Sequence, residues 1–245
     1  MKKLLIKLAR LLGGVRILKF FNERMRKIDS FTHYLQYVIE WGVKPVPNWF
    51  DHNLDLHYLW HKTRTPLGWE RGIFNLLAIR SGAKVLELCC GDGFNSFHFY
   101  AIRAGELIAV DFDKDAIRSA ERQYFNSNLR YLHADIRTQM PNDKFDNVVW
   151  DASLEYFTEP EILQLMQDIK FRLNDAGILS GYSIAQNYRH DEHKYIFRNK
   201  EDLIRFLSSY FRNIRVFETK YPSRHNLYFF ASDGHVPFDE SWKDV

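Results

Sequence analysis

Two kinds of apolar pattern divide the chain. Near the start, Leu4, Leu8, Leu11, Leu12, Val15 and Leu18 recur at helical spacing, while Lys3, Lys7 and Arg10 lie elsewhere on the wheel. This predicts a basic amphipathic leader helix over residues 1–29, weakened or kinked at Gly13-Gly14. Residues 30–80 are aromatic-rich and read as a helical cap, broken by Pro45-Val46-Pro47-Asn48, with a further helix over Gly68 to Ser81. From Ala83 the pattern changes to short apolar runs alternating with amphipathic ones. Strands are expected at 84–89, 107–110, 129–133, 145–150 and 178–183, and helices at 94–104 and 114–125. Another helix begins near Pro160, where Thr158 and Glu161 are spaced as a capping box, and carries the stripe Ile162, Leu165, Met166, Ile169 and Leu173. Asn199 caps a helix with the stripe Leu203, Phe206, Leu207 and Tyr210; residues 214–219 and 227–231 then pair as a hairpin. Strict alternation of strand and helix predicts an α/β fold with a doubly wound, mostly parallel sheet. Residues 81–232 form that domain, and 233–245 a tail.

Charge changes the picture at the N-terminus. The 245-residue chain has a formal net charge of only +3, but residues 1–30 hold nine Lys/Arg against two acids, and the rest holds 25 against 29. A mildly acidic body thus carries a basic leader. Three readings of the leader stay open: a helix on an anionic membrane surface through residues 1–28, a solvated or packed extension, and a targeting peptide. The body has no basic groove pattern, so no nucleic-acid partner is expected. No apolar stretch approaches the roughly 20 residues of a membrane span. The leader also lacks the apolar core and cleavage site of a secretory signal. The adjacent Cys89 and Cys90 cannot staple distant parts, and no Cys/His spacing matches a zinc site. A cytoplasmic protein is expected, with the inner face of a membrane as the alternative location.

Chemistry concentrates where the first strand ends, in Glu87-Leu88-Cys89-Cys90-Gly91-Asp92-Gly93. In doubly wound sheets ligands bind at the carboxyl ends of the strands, at the point where strand order reverses. Glycines there let the backbone approach a ligand, and the following helix N-terminus faces anionic groups. A dinucleotide fingerprint would need glycine at 96, where Ser96 stands, which argues against NAD or FAD. Asp111, at the end of the second strand, is placed to accept from both ribose hydroxyls, with Phe112 offering a ring face beside it.

These residues resemble a known family. Val85 to Gly93 looks like the first motif of class I S-adenosylmethionine-dependent methyltransferases, with Cys89 where a glycine usually stands. Ala109-Val110-Asp111 resembles the ribose motif, and His133-Ala134-Asp135-Ile136 the adenine motif. The runs 145–157 and 173–179 resemble the fourth-strand motif and the turn into the fifth strand. The resemblance covers roughly residues 81–232. It implies a seven-stranded Rossmann-like sheet with a C-terminal antiparallel hairpin, and S-adenosyl-L-methionine as cofactor. It places Glu87, Cys89, Gly91 and Gly93 beside the methionyl part, Asp111 on the ribose, Phe112 on the adenine, Asp135 at the adenine amine with Ile136 beside it, and Trp150 and Asp151 along the cleft near the sulfonium.

Methyl transfer is an in-line displacement, so positioning dominates, and an oxygen acceptor also needs a base. Asp151, Glu155, Tyr156 and His193 are the candidates, on segments where the family presents acceptor-side groups. Turn and capping roles for Asp151 and Glu155 are the alternative. His190 and His193 also read as a His-rich surface loop, and Arg224, His225 and Asn226 as a turn. His57 and His61 have i, i+4 spacing that can hold a metal, but Tyr58 stands where a zincin-like motif has glutamate; a polar helix face is expected and no metal. The tryptophans between Trp41 and Trp69 suit a cap over the cofactor or a wall of the acceptor pocket. The acceptor is expected to be a small molecule, or one linked to lipid or glycan. A catalytically silent cofactor-binding module and a nicotinamide-dependent oxidoreductase are the other readings.

Overall fold

The computed structural model describes residues 4, 7, 13–47, 49–185, 192–221 and 224–237. They form two compact units, residues 1–47 with 51–66, and residues 48–50 with 67–245.

Over residues 13–66 the described part of the first unit holds two helices. Helix α1, Gly14–Trp41, follows Gly13 in the left-handed region at φ 72°. It runs without a break through Asp29 and Ser30, so the expected boundary between leader and cap falls inside one helix. Helix α2, His52–Thr63, is opened by Asp51, whose Oδ1 accepts from the Leu54 N–H at 3.1 Å. Aromatic side chains join the pair. Tyr37 stacks on Tyr58 at 3.9 Å, His33 on His57 at 4.1 Å, and Tyr34 packs beside His61. Burial, and then the neighbouring His33, lower the His57 pKa. Asp29, His33 and His57 gather three ligand-type groups, but the imidazole planes are only 15° apart, and one ion cannot lie in both planes. His61 faces Tyr34 in place of joining His57.

In the second unit helix α3, Leu67–Ala78, belongs with the sheet and not with the preceding helices as the sequence suggested. Seven strands follow. They are β1 Lys84–Leu88, β2 Glu106–Asp111, β3 Leu129–His133, β4 Phe145–Asp151, β5 Leu173–Ile184, β6 Asn213–Tyr221 and β7 Arg224–Ser232. Their order is β3-β2-β1-β4-β5-β7-β6. All neighbours are parallel until β7, which runs antiparallel to both β5 and β6. The α/β, mostly parallel architecture with its terminal hairpin is the one the alternation predicts. The helical connections are a π-helical turn, Ser96–Tyr100, running into α4, Ala101–Arg103, then α5 Lys114–Gln123, α6 Ile136–Gln139, α7 Glu159–Arg172 and α8 Lys200–Ser208.

Local chemistry fixes the ends of these elements. The Glu161 carboxylate accepts from both the N–H and the hydroxyl of Thr158 at 2.8 Å, which pulls its pKa to about 2. Asn199 Oδ1 accepts from the Asp202 N–H at 2.9 Å. Strand β5 starts five residues earlier than its apolar run, because pairing jumps from Phe145–Leu173 to Asn147–Ile178 and the residues between bulge out. One continuous core packs Leu86, Leu88, Ile108, Val110, Val148 and Trp150 against Ile162, Leu165, Met166 and Ile169 of α7. Strand order reverses between the parallel neighbours β1 and β4, with β2 and β3 laid to one side and β5 to the other, so their carboxyl ends form the switch point of the sheet.

Candidate functional site

From β1 the chain turns through Cys89 to Gly93. Cys89, Gly91 and Gly93 have φ of 59°, 57° and 78°. Left-handed backbone costs a non-glycine residue about 1–2 kcal/mol. That is the physical sense of the glycine usually found where Cys89 stands. At Gly93 a Cβ would lie 2.6 Å from the Tyr131 hydroxyl, so only glycine fits; Gly91 sits under Trp49, with van der Waals room for a Cβ.

Asp111 ties this turn to β2. Its Oδ2 accepts from the Gly91 N–H at 2.9 Å and its Oδ1 from the Asp113 N–H at 2.8 Å. Burial raises its pKa against the pull of these amides. Phe112 beside it is 57% exposed, so its ring face is accessible to a planar group. Glu87 is buried and accepts from the Ser96 hydroxyl. Ser96, noted first for the glycine it replaces, is therefore a partner of this carboxyl, whose pKa burial raises. Asp135 caps α6 and is gripped by Arg137, which lowers its pKa; Arg137 also reaches Glu161. Ile136 is buried in the core.

At the end of β4 the structure separates two residues that the sequence paired. Trp150 is fully buried, with Nε1 donating to Ser153 Oγ at 3.0 Å, so it supports the site from inside the core and does not line a cleft. Asp151 faces the switch point. Its Oδ2 accepts from Arg71 Nε at 2.9 Å and Nη2 at 2.7 Å, and from Asn95 Nδ2 at 3.0 Å. The guanidinium also lies 5.4 Å from the centre of the Tyr182 ring. Burial opposes the charge on Arg71, and the Asp151 carboxylate more than offsets it, so the Arg71 pKa is raised. The remaining Asp151 Oδ1 and Asn95 Oδ1 are buried with no hydrogen-bond partner.

Neither Arg71 nor Asn95 was expected. Arg71 is 80 residues from Asp151 and on another element. The one available signal was a helix whose buried stripe, Gly68, Arg71, Asn75 and Ala78, carries polar side chains where apolar ones belong.

A second carboxyl stands on the turn after β4. Glu155 is 4% exposed, and burial pushes its pKa up to about 7. Its Oε2 is buried without a hydrogen-bond partner. The Glu155 backbone carbonyl accepts from the N–H groups of Lys194 and Tyr195, which brings the segment after β5 to this turn. The ring of Tyr156 meets that of His193 edge-on at 5.2 Å. Glu155, Tyr156 and His193 are thus gathered, while Asp151 is committed to Arg71 and Asn95. His190 lies outside the described residues. His225 pairs with Glu218 at 2.9 Å, and Asn226 joins Tyr182. A shallow cleft bordered by Arg80, Asp146, Asn147 and Asn174 lies at the opposite, amino ends of β1, β4 and β5, away from these groups.

Comparison with known proteins finds similar sequences and folds. Residues 85–177 match the family model of a methyltransferase domain. An uncharacterized methyltransferase of Mycobacterium tuberculosis is 40% identical over 76 residues, which is 31% of this chain and 38% of the relative. A demethylmenaquinone methyltransferase of Staphylococcus saprophyticus is 25% identical over 123 residues, 49% of this chain and 50% of the relative. The chain thus spans about half the length, or less, of these curated relatives. The fold is shared with the complex of DhpI with S-adenosylhomocysteine, at a TM-score of 0.58 and 16% identity over 84% of this chain and 95% of that one. It is also shared with the N-methyltransferase NodS of Bradyrhizobium japonicum bound to S-adenosylhomocysteine, at 0.56 and 20% over 71% and 91%.

Proposed function

We propose, from the match of residues 85–177 to a methyltransferase-domain model, that this chain moves the methyl group of S-adenosyl-L-methionine to an oxygen or nitrogen of an acceptor. The observation that carries the reading is the arrangement at the switch point: a left-handed glycine turn held by Asp111, facing buried acceptor oxygens that lack partners. Buried polar atoms are nearly always hydrogen-bonded, so orphaned oxygens beside an open glycine turn fit a ligand that brings donors and positive charge. S-adenosylmethionine, with ribose hydroxyls, an ammonium and a sulfonium, is such a ligand.

When bound, the cofactor supplies a methyl group on a good leaving group. The chain supplies everything else. The left-handed turn through Gly91 and Gly93 would pass beside the cofactor, and Asp111 would accept from the ribose. Phe112 lies against the adenine, with Ile136 and the Arg137-held Asp135 bordering it. Asp151 Oδ1 and Asn95 Oδ1 accept from the ammonium, while Glu87 and Cys89 wall the methionyl end. Arg71 holds Asp151 in place, so Glu155 is the carboxyl left to take a proton from the acceptor, with Tyr156 and His193 orienting it. A buried carboxyl whose Oε2 lacks a hydrogen-bond partner and whose pKa is near 7 suits that task. In this reading the acceptor is a small molecule or one linked to a lipid or glycan.

Calorimetric titration of the full chain with S-adenosylmethionine and with NADH tests the reading. Saturable binding of S-adenosylmethionine alone is expected, followed by release of S-adenosylhomocysteine when an acceptor panel is added. Binding of NADH alone would establish an oxidoreductase. Tight cofactor binding with no turnover on any acceptor would favour a silent module.

A further inference from the structure

Helix α1 presents an anomaly that the methyl-transfer site does not use. It has 28 residues, about 42 Å in length, and none of them is buried. At helical pitch Ile17, Phe21, Met25, Ile28, Leu35 and Ile39 share one face, and Leu18, Phe20, Phe31 and Val38 widen it to an arc of about 160°. Phe21, Met25, Ile28 and Ile39 are each more than half exposed. The contacts of α1 with α2 run through His33, Tyr34 and Tyr37, on the opposite side of the helix. The α2 contact therefore leaves the apolar face uncovered.

Charge and shape say what covers it. Over residues 14–28, Arg16, Lys19, Arg24, Arg26 and Lys27 stand against Glu23 alone, whereas residues 29–41 have no Lys or Arg. The Arg24 guanidinium lies back over the Phe20 ring at 5.1 Å, so its stem follows the apolar face while its charge stays at the surface. A broad arc suits a plane, whereas a coiled-coil partner needs a narrow seam. No helix among the described residues is long and apolar enough to cross a membrane. We propose that α1 lies in the headgroup region of an anionic lipid surface, with Phe21, Met25 and Ile28 inserted and the basic side chains of Arg16 and Lys27, which border the apolar arc, and of Arg24 on the lipid phosphates.

Co-sedimentation of the full chain with phosphatidylcholine vesicles, with and without phosphatidylglycerol, tests this. Binding is expected only to the anionic vesicles and should weaken steeply with salt. Lys27→Ala and Arg16→Ala should each weaken it about fivefold, the value of one basic residue near such a surface. Phe21→Glu combined with Ile28→Glu should abolish it while the circular dichroism spectrum stays unchanged, since both positions are exposed. No co-sedimentation by wild type, or equal binding by the double variant, would overturn the proposal. So would a dimer that the double variant disperses without any vesicle binding, which would make a second copy of the chain the occupant.

Discussion

Replacing Arg71 with methionine should destabilise the second unit by about 3–5 kcal/mol, the usual cost of removing one partner from a buried ion pair. The reason is Asp151. Its Oδ2 would keep only the Asn95 amide, and a carboxylate would remain in the interior without a countercharge. In a chain of this size that loss should lower the melting temperature by about 10 °C. Arg71→Lys should recover part of it, because an ammonium restores charge but not the two-pronged contact through Nε and Nη2. Combining Arg71→Met with Asp151→Leu should restore most of the stability, since removing both charges leaves none stranded. Thermal melts of the four proteins check the set. Restored stability without restored cofactor binding would separate the structural role of the pair from the ligand-facing role of Asp151 Oδ1.

Glu155→Gln is expected to reduce turnover by about 10²–10⁴-fold at pH 8, the usual contribution of a positioned base. The wild-type rate should rise with pH through about 7 as Glu155 loses its proton, and the variant should lack that limb. Stability carries an independent signature of opposite sense. The folded-state pKa lies above the ordinary carboxyl value of 4.5, so the fold favours the protonated form. That contribution is complete below about pH 4.5 and disappears as pH rises through about 7. Wild type should lose on the order of 3 kcal/mol across this window relative to Glu155→Gln. Denaturant melts at several pH values measure it. An unchanged pH–rate profile in the variant would remove Glu155 from the chemistry.

Much of the fold and of the site is legible in the sequence. Strand and helix alternation, the Thr158–Glu161 and Asn199 caps, and the glycine turn are short-range features, written in residues a few positions apart. What stayed hidden is long-range. Nothing local to Arg71 announces Asp151, and nothing local to Trp150 tells that it points into the core while its neighbour points to the switch point; alternation along β4 fixes that, but its register fixes which side is which. The boundary at residue 29 failed for a related reason. A change in charge marks the end of the basic stretch, but the backbone has no reason to leave a helix there, and α1 continues until Gly42 and the proline-containing linker. Segments 67–78 share aromatic composition with the helices before them, but packing assigns them to the sheet.

The central claim is that the carboxyl ends of β1 and β2 bind the nucleoside of a methyl donor through Asp111. Calorimetric titration of the full chain with S-adenosylhomocysteine tests it most directly. Wild type should bind one equivalent, and Asp111→Ala should bind about 100-fold more weakly, the loss of two hydrogen bonds to a charged group. Asp111→Asn should fall between them, because it keeps an acceptor for the Gly91 amide. Wild-type protein that binds no S-adenosylhomocysteine, or an alanine variant that remains folded and binds it equally well, would contradict the account.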